Sequence, residues 1–285
     1  MSVYRCKAKL ASRDTQPIAI RRLLLLLIVC LAESTSAANL SRELRIAEAL
    51  AAGVTEGTPV WLEADSVRFL ALHNQTPAPE RLGGVILLHD SGNHADWHEV
   101  IQPLRRHLSA RGWDTLSIQS PLSADPSDPA GNSSLIALST PRIRAGVDFL
   151  NSQQINDTVL IGHGLGAEMA LNFVTRAGDG VRALVAIGVT LDAEDEEDPF
   201  TQAMTGTEIP ILDIFGSLDH PAVIASATLR RGSAIRNGRD RFRQDRVAGA
   251  DHYFSGMQDE LSHRIAAWLK RTAGLWQTRQ SPSAP

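Results

Sequence analysis

Hydrophobic positions along this chain follow two regimes. Four short runs are almost wholly apolar: Gly84-Val85-Ile86-Leu87-Leu88, Thr158 to Ile161, Val181 to Ile187 and Pro210 to Phe215. Runs of this length and composition predict strands buried on both faces. Between them, apolar residues recur at helical spacing. Val100, Ile101, Leu104 and Leu108 form one such stripe, which stops at Gly112. Ile143, Val147, Phe149 and Leu150 mark a second within a helix predicted from about 135 to 153, with a break near Pro141. Met169, Ala170, Leu171, Phe173 and Val174 follow the 158–161 run, and a further helix is predicted from Pro221 to Arg230. Asp114 to Ile118 and Arg241 to Val247 read as additional strands, and Met257, Leu261, Ile265 and Leu269 place a closing helix over 256–271. At the front, residues 40–52 suggest a short helix, and Pro59 to Glu63 and Ser66 to His73 an antiparallel pair turning at Ala64-Asp65. Strands alternating with helices imply the α/β class, a mostly parallel central sheet with helices on both faces.

The first residues do not fit this pattern. Arg21-Arg22 precede the apolar run Leu23 to Ala32, and small residues follow at Ser36-Ala37-Ala38. A charged region, a short apolar core and small residues read as a secretory signal peptide over 1–37. The run is shorter than the roughly 20 residues of a membrane span, so contact with a membrane is expected only through this segment before cleavage. The expected organisation is a signal peptide, one domain over 38–271 and a mobile tail over 272–285. Export, to the periplasm in a Gram-negative cell, follows.

Composition removes several function classes. The net charge is -4 with few aromatics, which gives no basis for nucleic-acid binding. Both cysteines, Cys6 and Cys30, fall in the leader. The mature chain thus has no disulfide, thiol nucleophile or cysteine metal site.

The most informative stretch is Gly162-His163-Gly164-Leu165-Gly166, between a predicted strand and a predicted helix. Strand, tight turn and helix form the context of the G-x-S-x-G nucleophile elbow. Glycine stands where the serine belongs. From about Pro59 to Arg271 the chain resembles the α/β-hydrolase superfamily. More narrowly, it resembles a bacterial family of exported, uncharacterised α/β-hydrolase-like proteins. The features are Leu88-His89-Asp90-Ser91-Gly92 followed by His94 and Trp97, the strand entry Gly112 to Leu116, and glycine at the elbow centre.

The resemblance implies roles for other residues. Gly216-Ser217-Leu218-Asp219 matches the motif that supplies the triad acid, and the loop carrying His252 matches the one that supplies the histidine. Asp219 is equally placed to cap the helix at Pro221. The loop Asp90-Ser91-Gly92 lies at the oxyanion-hole position, where its backbone N–H groups would act with that of Leu165.

Gly164 keeps the turn and removes the hydroxyl, and covalent acyl transfer requires a nucleophile beside a base. Two readings follow. The favoured one is a non-catalytic binding or scaffold protein of the cell envelope, with an unknown small molecule or envelope component as partner. The alternative is an esterase-like hydrolase in which Asp219–His252 acts with water, or with Ser91 as a displaced nucleophile. His163 is expected to be a packed histidine under the turn. No cofactor is expected. No metal is expected either, because His89, His94, Asp96 and His98 read better as polar loop residues than as ligands. The carboxylates of Asp192 to Asp198 and the arginines between Arg230 and Arg246 read as solvated faces.

Overall fold

A computed structural model describes residues 40–123, 130–192, 198–238 and 240–280. The signal-peptide reading of 1–37, most of the 192–198 acidic run and the last five residues lie outside them.

After a helix over residues 40–53 (α1), the chain forms β1 (Thr58–Ala64) and β2 (Val67–Asn74), then β3 (Gly83–Leu88), α2 (Ile101–Ser109), β4 (Trp113–Ile118), α3 (Ala130–Ser152) and β5 (Thr158–His163). It continues through α4 (Leu165–Ala177), β6 (Val181–Ile187), α5 (Pro199–Gly206), β7 (Ile211–Gly216), α6 (Pro221–Arg236), β8 (Phe242–Val247) and α7 (Gln258–Gln280). The eight strands make one sheet in the order β1-β2-β4-β3-β5-β6-β7-β8. β2 is antiparallel to β1 and to β4, and the remaining pairings are parallel.

Alternation along the buried strands distributes their side chains over two cores. Ile86, Leu88 and Leu160 point to the face covered by α3, α4 and α5. Val85, Leu87, Val159 and Ile161 point to the face covered by α2 and α7. β3 and β5 are buried at every position, which explains their near-continuous apolar sequence. In α7, Leu261, Ile265 and Leu269 recur at four-residue spacing and are fully buried against the second core.

The structure departs from the sequence expectations in several places. α3 runs through Pro141 without a break. The proline removes one intrahelical donor, but buried Ile143, Val147 and Leu150 hold the following turns on the sheet. α7 continues past Arg271 to Gln280, so the expected mobile tail is helical over that part. Thr272 and Ala273 are buried and the Thr272 hydroxyl donates to Trp268 O at 2.9 Å. α5 was not anticipated, although Asp198-Pro199 is a start signal. The Asp198 carboxylate accepts from Thr201 N and Pro199 opens the helix. Arg230 is not on a solvated face: it is fully buried and its Nε donates to Asp213 at 2.8 Å.

β3 and β5 are neighbours, but β4, which follows β3, lies on the opposite side of β3 from β5. The strand order reverses there, and the crevice beyond the carboxyl ends of two such strands is the general ligand position of open α/β sheets.

Candidate functional site

Four loops converge beyond the carboxyl ends of the parallel strands. Asp90 follows β3, Gly164 follows β5, Asp219 follows β7 and His252 follows β8. The predicted acid and histidine are brought together: His252 Nδ1 lies 2.6 Å from Asp219 Oδ1. Asp219 also accepts from Gly216 N and His220 N. It does not cap α6, whose N-cap is His220 with no side-chain hydrogen bond.

Gly164 occupies the elbow at φ 52°, ψ -119°. An L residue there is strained by about 1–3 kcal/mol. The flanking glycines are required by packing. A Cβ on Gly162 would strike the Gly166 backbone, with Ala167 Cα 2.5 Å away, and a Cβ on Gly166 would lie 2.7 Å from His89 O. Gly188, which the sequence did not single out, ends β6 at positive φ and leaves room for His252. A Cβ there would fall 2.8 Å from the imidazole Cε1.

The space into which a side chain at 164 would project is filled by Asp90. A Cβ on Gly164 would overlap Asp90 Oδ1, with Oδ2 2.7 Å away. Oδ1 accepts from Leu165 N at 2.7 Å, at the amino terminus of α4, where the helix field favours an anion. Oδ2 lies 3.2 Å from His252 Nε2. The Leu165 N–H, expected to face an oxyanion, is instead bonded to the Asp90 side chain. Elsewhere in that loop, Gly92 adopts φ 76° and Asn93 N donates to Asp90 O. Ser91 is not the group at the elbow. Its Oγ is buried without a hydrogen-bond partner among the described residues, and His252 and Leu165 bond to Asp90 instead.

This geometry fixes the charges. Burial opposes a charged His252, but hydrogen bonds and fields from Asp219 and Asp90 outweigh it and raise its pKa to about 9. Burial likewise acts to raise Asp90, yet the bonds to His252 and Leu165 pull it down to about 2. Asp219 is lowered in the same way, burial being overcome by His252. The result is an imidazolium whose Nδ1–H donates to Asp219 and whose Nε2–H donates to Asp90. A catalytic-triad histidine needs a bare Nε2 to take the proton of its nucleophile. Here that lone pair is occupied.

His163 is fully buried, as expected of a histidine under the turn. Burial lowers its pKa to about 4, so it is neutral. Its Nε2 lies 3.0 Å from His252 O, and its ring centroid 4.6 Å from that of His252. Glu168, one turn into α4, accepts from Thr190 Oγ1 at 3.2 Å. Burial raises its pKa to about 7, which the Thr190 bond only partly opposes.

The His94–Asp96–His98 group is tied up in structural contacts. Asp96 pairs with Arg105 at 2.6 Å and accepts from Gln102. His94 Nδ1 accepts from Asp96 N, and its ring stands edge-on to Trp97. His89 Nε2 accepts from Ser120 N. Among the described residues, the group able to gather around a cation is instead Asp90, His163 and His252, whose donor atoms lie within 4.8 Å of one another. No described helix is long and apolar enough to cross a membrane.

A family model described as "Protein of unknown function (DUF3530)" matches residues 29–141 and 138–271. No curated protein matches by sequence. The fold is similar to that of Est1E from Butyrivibrio proteoclasticus, with TM-score 0.59 at 14% identity over 76% of this chain and 99% of that one. An alpha-beta serine hydrolase homologue from Coxiella burnetii gives TM-score 0.60 at 14% identity over 75% and 98%. XC6422 from Xanthomonas campestris, described as an a/b serine hydrolase without lid, gives 0.57 at 15% identity over 81% and 98%. These likenesses establish an α/β-hydrolase-like fold.

Proposed function

Because the chain belongs to the family of unknown function DUF3530, whose name carries no activity, we propose from its site that it is a catalytically silent α/β-hydrolase-like protein with a binding or scaffold role. The observation that carries this reading is the Asp90 carboxylate. It fills the nucleophile position, takes the Leu165 N–H and holds the second ring nitrogen of His252. One side chain thus stands against three parts of serine-type acyl transfer: a hydroxyl at the elbow, a free oxyanion donor and a base with a bare lone pair. The alternative, water activated by Asp219–His252, needs a neutral His252, which the two flanking carboxylates disfavour.

The leader-like pattern over 1–37 supports a role in the cell envelope, in the periplasm of a Gram-negative cell, with a small molecule or an envelope component as partner. The test uses purified protein and its His252→Ala variant on a panel of activated short-chain esters. Equal, background-level hydrolysis by both is the expected result. Turnover by the wild type that disappears in the variant would establish a hydrolase and overturn the reading.

A further inference from the structure

We propose that Asp90, His163 and His252 bind one divalent first-row transition-metal ion at the elbow. This rests on the reading that Asp90 and His252 do not serve acyl transfer, and it names the ligand class of that same site.

The first support is the tautomer of His163. Its Nε2 lies 3.0 Å from the carbonyl oxygen of His252. A carbonyl only accepts, so Nε2 carries the hydrogen and Nδ1 holds a lone pair. The residue is 0% exposed and Nδ1 has no hydrogen-bond partner among the described residues. An unsatisfied buried acceptor is costly and rare. A cation held jointly with Asp90 and His252 would satisfy it.

The second support is the geometry around that side chain. One ring nitrogen each from His163 and His252 and an Asp90 oxygen lie within 4.8 Å of one another, and His252 Nε2 is 3.2 Å from Asp90 Oδ2. Donors about 2.0–2.1 Å from a tetrahedral ion stand roughly 3.4 Å apart, so small side-chain rotations bring the set together.

The third support is the shell behind the donors. Imidazole ligands usually donate their other N–H to a carboxylate or a carbonyl, which fixes tautomer and ring orientation. His252 does so to Asp219 at 2.6 Å and His163 to His252 O. Two imidazole nitrogens and one carboxylate oxygen suit zinc, iron or a neighbouring ion better than magnesium or calcium, which prefer oxygen-only sets. Three protein ligands also leave a coordination position for a small anionic or neutral ligand. The ion replaces the proton shared by His252 Nε2 and Asp90, and that proton leaves to solvent.

The test titrates the purified full-length chain, stripped with EDTA and free of any histidine tag, with Co²⁺ and Zn²⁺. Ligand-field absorption and elemental analysis are the readouts. The expected result is one ion per chain, bound 10–100-fold more weakly in Asp219→Asn and not stoichiometrically in Asp90→Asn or His163→Ala. Should His163→Ala fail to fold by circular dichroism, Asp90→Asn decides, since its side chain is nearly isosteric. No stoichiometric binding by the wild type would overturn the proposal. So would binding undiminished in Asp90→Asn. Ester turnover by the EDTA-stripped protein would overturn the catalytically silent reading on its own. No turnover and no metal uptake would overturn the metal site alone.

Discussion

Gly164→Ser is the substitution that would naively restore the elbow, and the structure predicts that alone it damages the protein. Two costs act together. A side chain at φ 52°, ψ -119° carries a strain of about 1–3 kcal/mol. Its Cβ also overlaps the Asp90 carboxylate, which must leave. Leaving breaks the 2.7 Å bond from Leu165 N and the 3.2 Å bond to His252. Hydrogen bonds to charged groups contribute about 1.5–3 kcal/mol each. Asp90 is 14% exposed, so the lower end applies and the pair is worth about 3 kcal/mol. Gly164→Ser should therefore cost about 4–6 kcal/mol, and Asp90→Ala alone about 3 kcal/mol. The double variant should cost no more than Gly164→Ser, because the Asp90 interactions are already lost in that single variant. The cycle predicts a coupling of about 3 kcal/mol, read from urea unfolding of the four proteins. Additive costs within about 0.5 kcal/mol, or a neutral Gly164→Ser, would refute the placement of Asp90 in the nucleophile position. Ester hydrolysis should appear, if anywhere, in the double variant and not in Gly164→Ser.

Two further perturbations test other parts of the structure. Arg230→Met leaves Asp213 fully buried without its guanidinium partner, its remaining side-chain donor being Gln244. Burial already pushes the Asp213 pKa up, and the variant should lose about 3–5 kcal/mol by chemical denaturation. A loss under about 1 kcal/mol would contradict that pairing. Glu168 has its folded pKa raised to about 7 by burial, with Asp198 and Asp90 adding to the rise and Thr190 opposing it. The folded state then keeps a proton that the unfolded chain releases near pH 4.5, so this group's contribution falls as pH rises toward 7. Glu168→Gln, which can still accept from Thr190, should be more stable than wild type at pH 8 by about 3 kcal/mol, with the advantage gone near pH 4.5. A pH-independent difference in melting temperature would contradict it.

The sheet was legible because strands buried on both faces leave uninterrupted apolar runs, as in Val85 to Leu88. The meeting of Asp219 and His252 was legible because both lie in loops at strand ends, and the structure joins them. Asp90 was misread. In sequence it is one member of a loop whose backbone was expected to donate. Its side-chain direction depends on the space that glycine leaves at 164, across 74 positions of chain and a strand pairing. The free Nδ1 of His163 was equally hidden, because it follows from a hydrogen bond to a carbonyl far along the chain. Arg230 was read as one of a run of surface arginines, and only the helix phase of α6 turns it inward. Pro141 failed as a breaker because packing outweighed its local preference.

The proposed binding role requires that the elbow, with Asp90 beside Gly164, form no acyl-enzyme. It is tested most directly by the intact mass of the wild-type protein after incubation with an activated ester and with a fluorophosphonate. The account predicts an unchanged mass. A stoichiometric adduct that maps to Asp90 or Ser91 would contradict it.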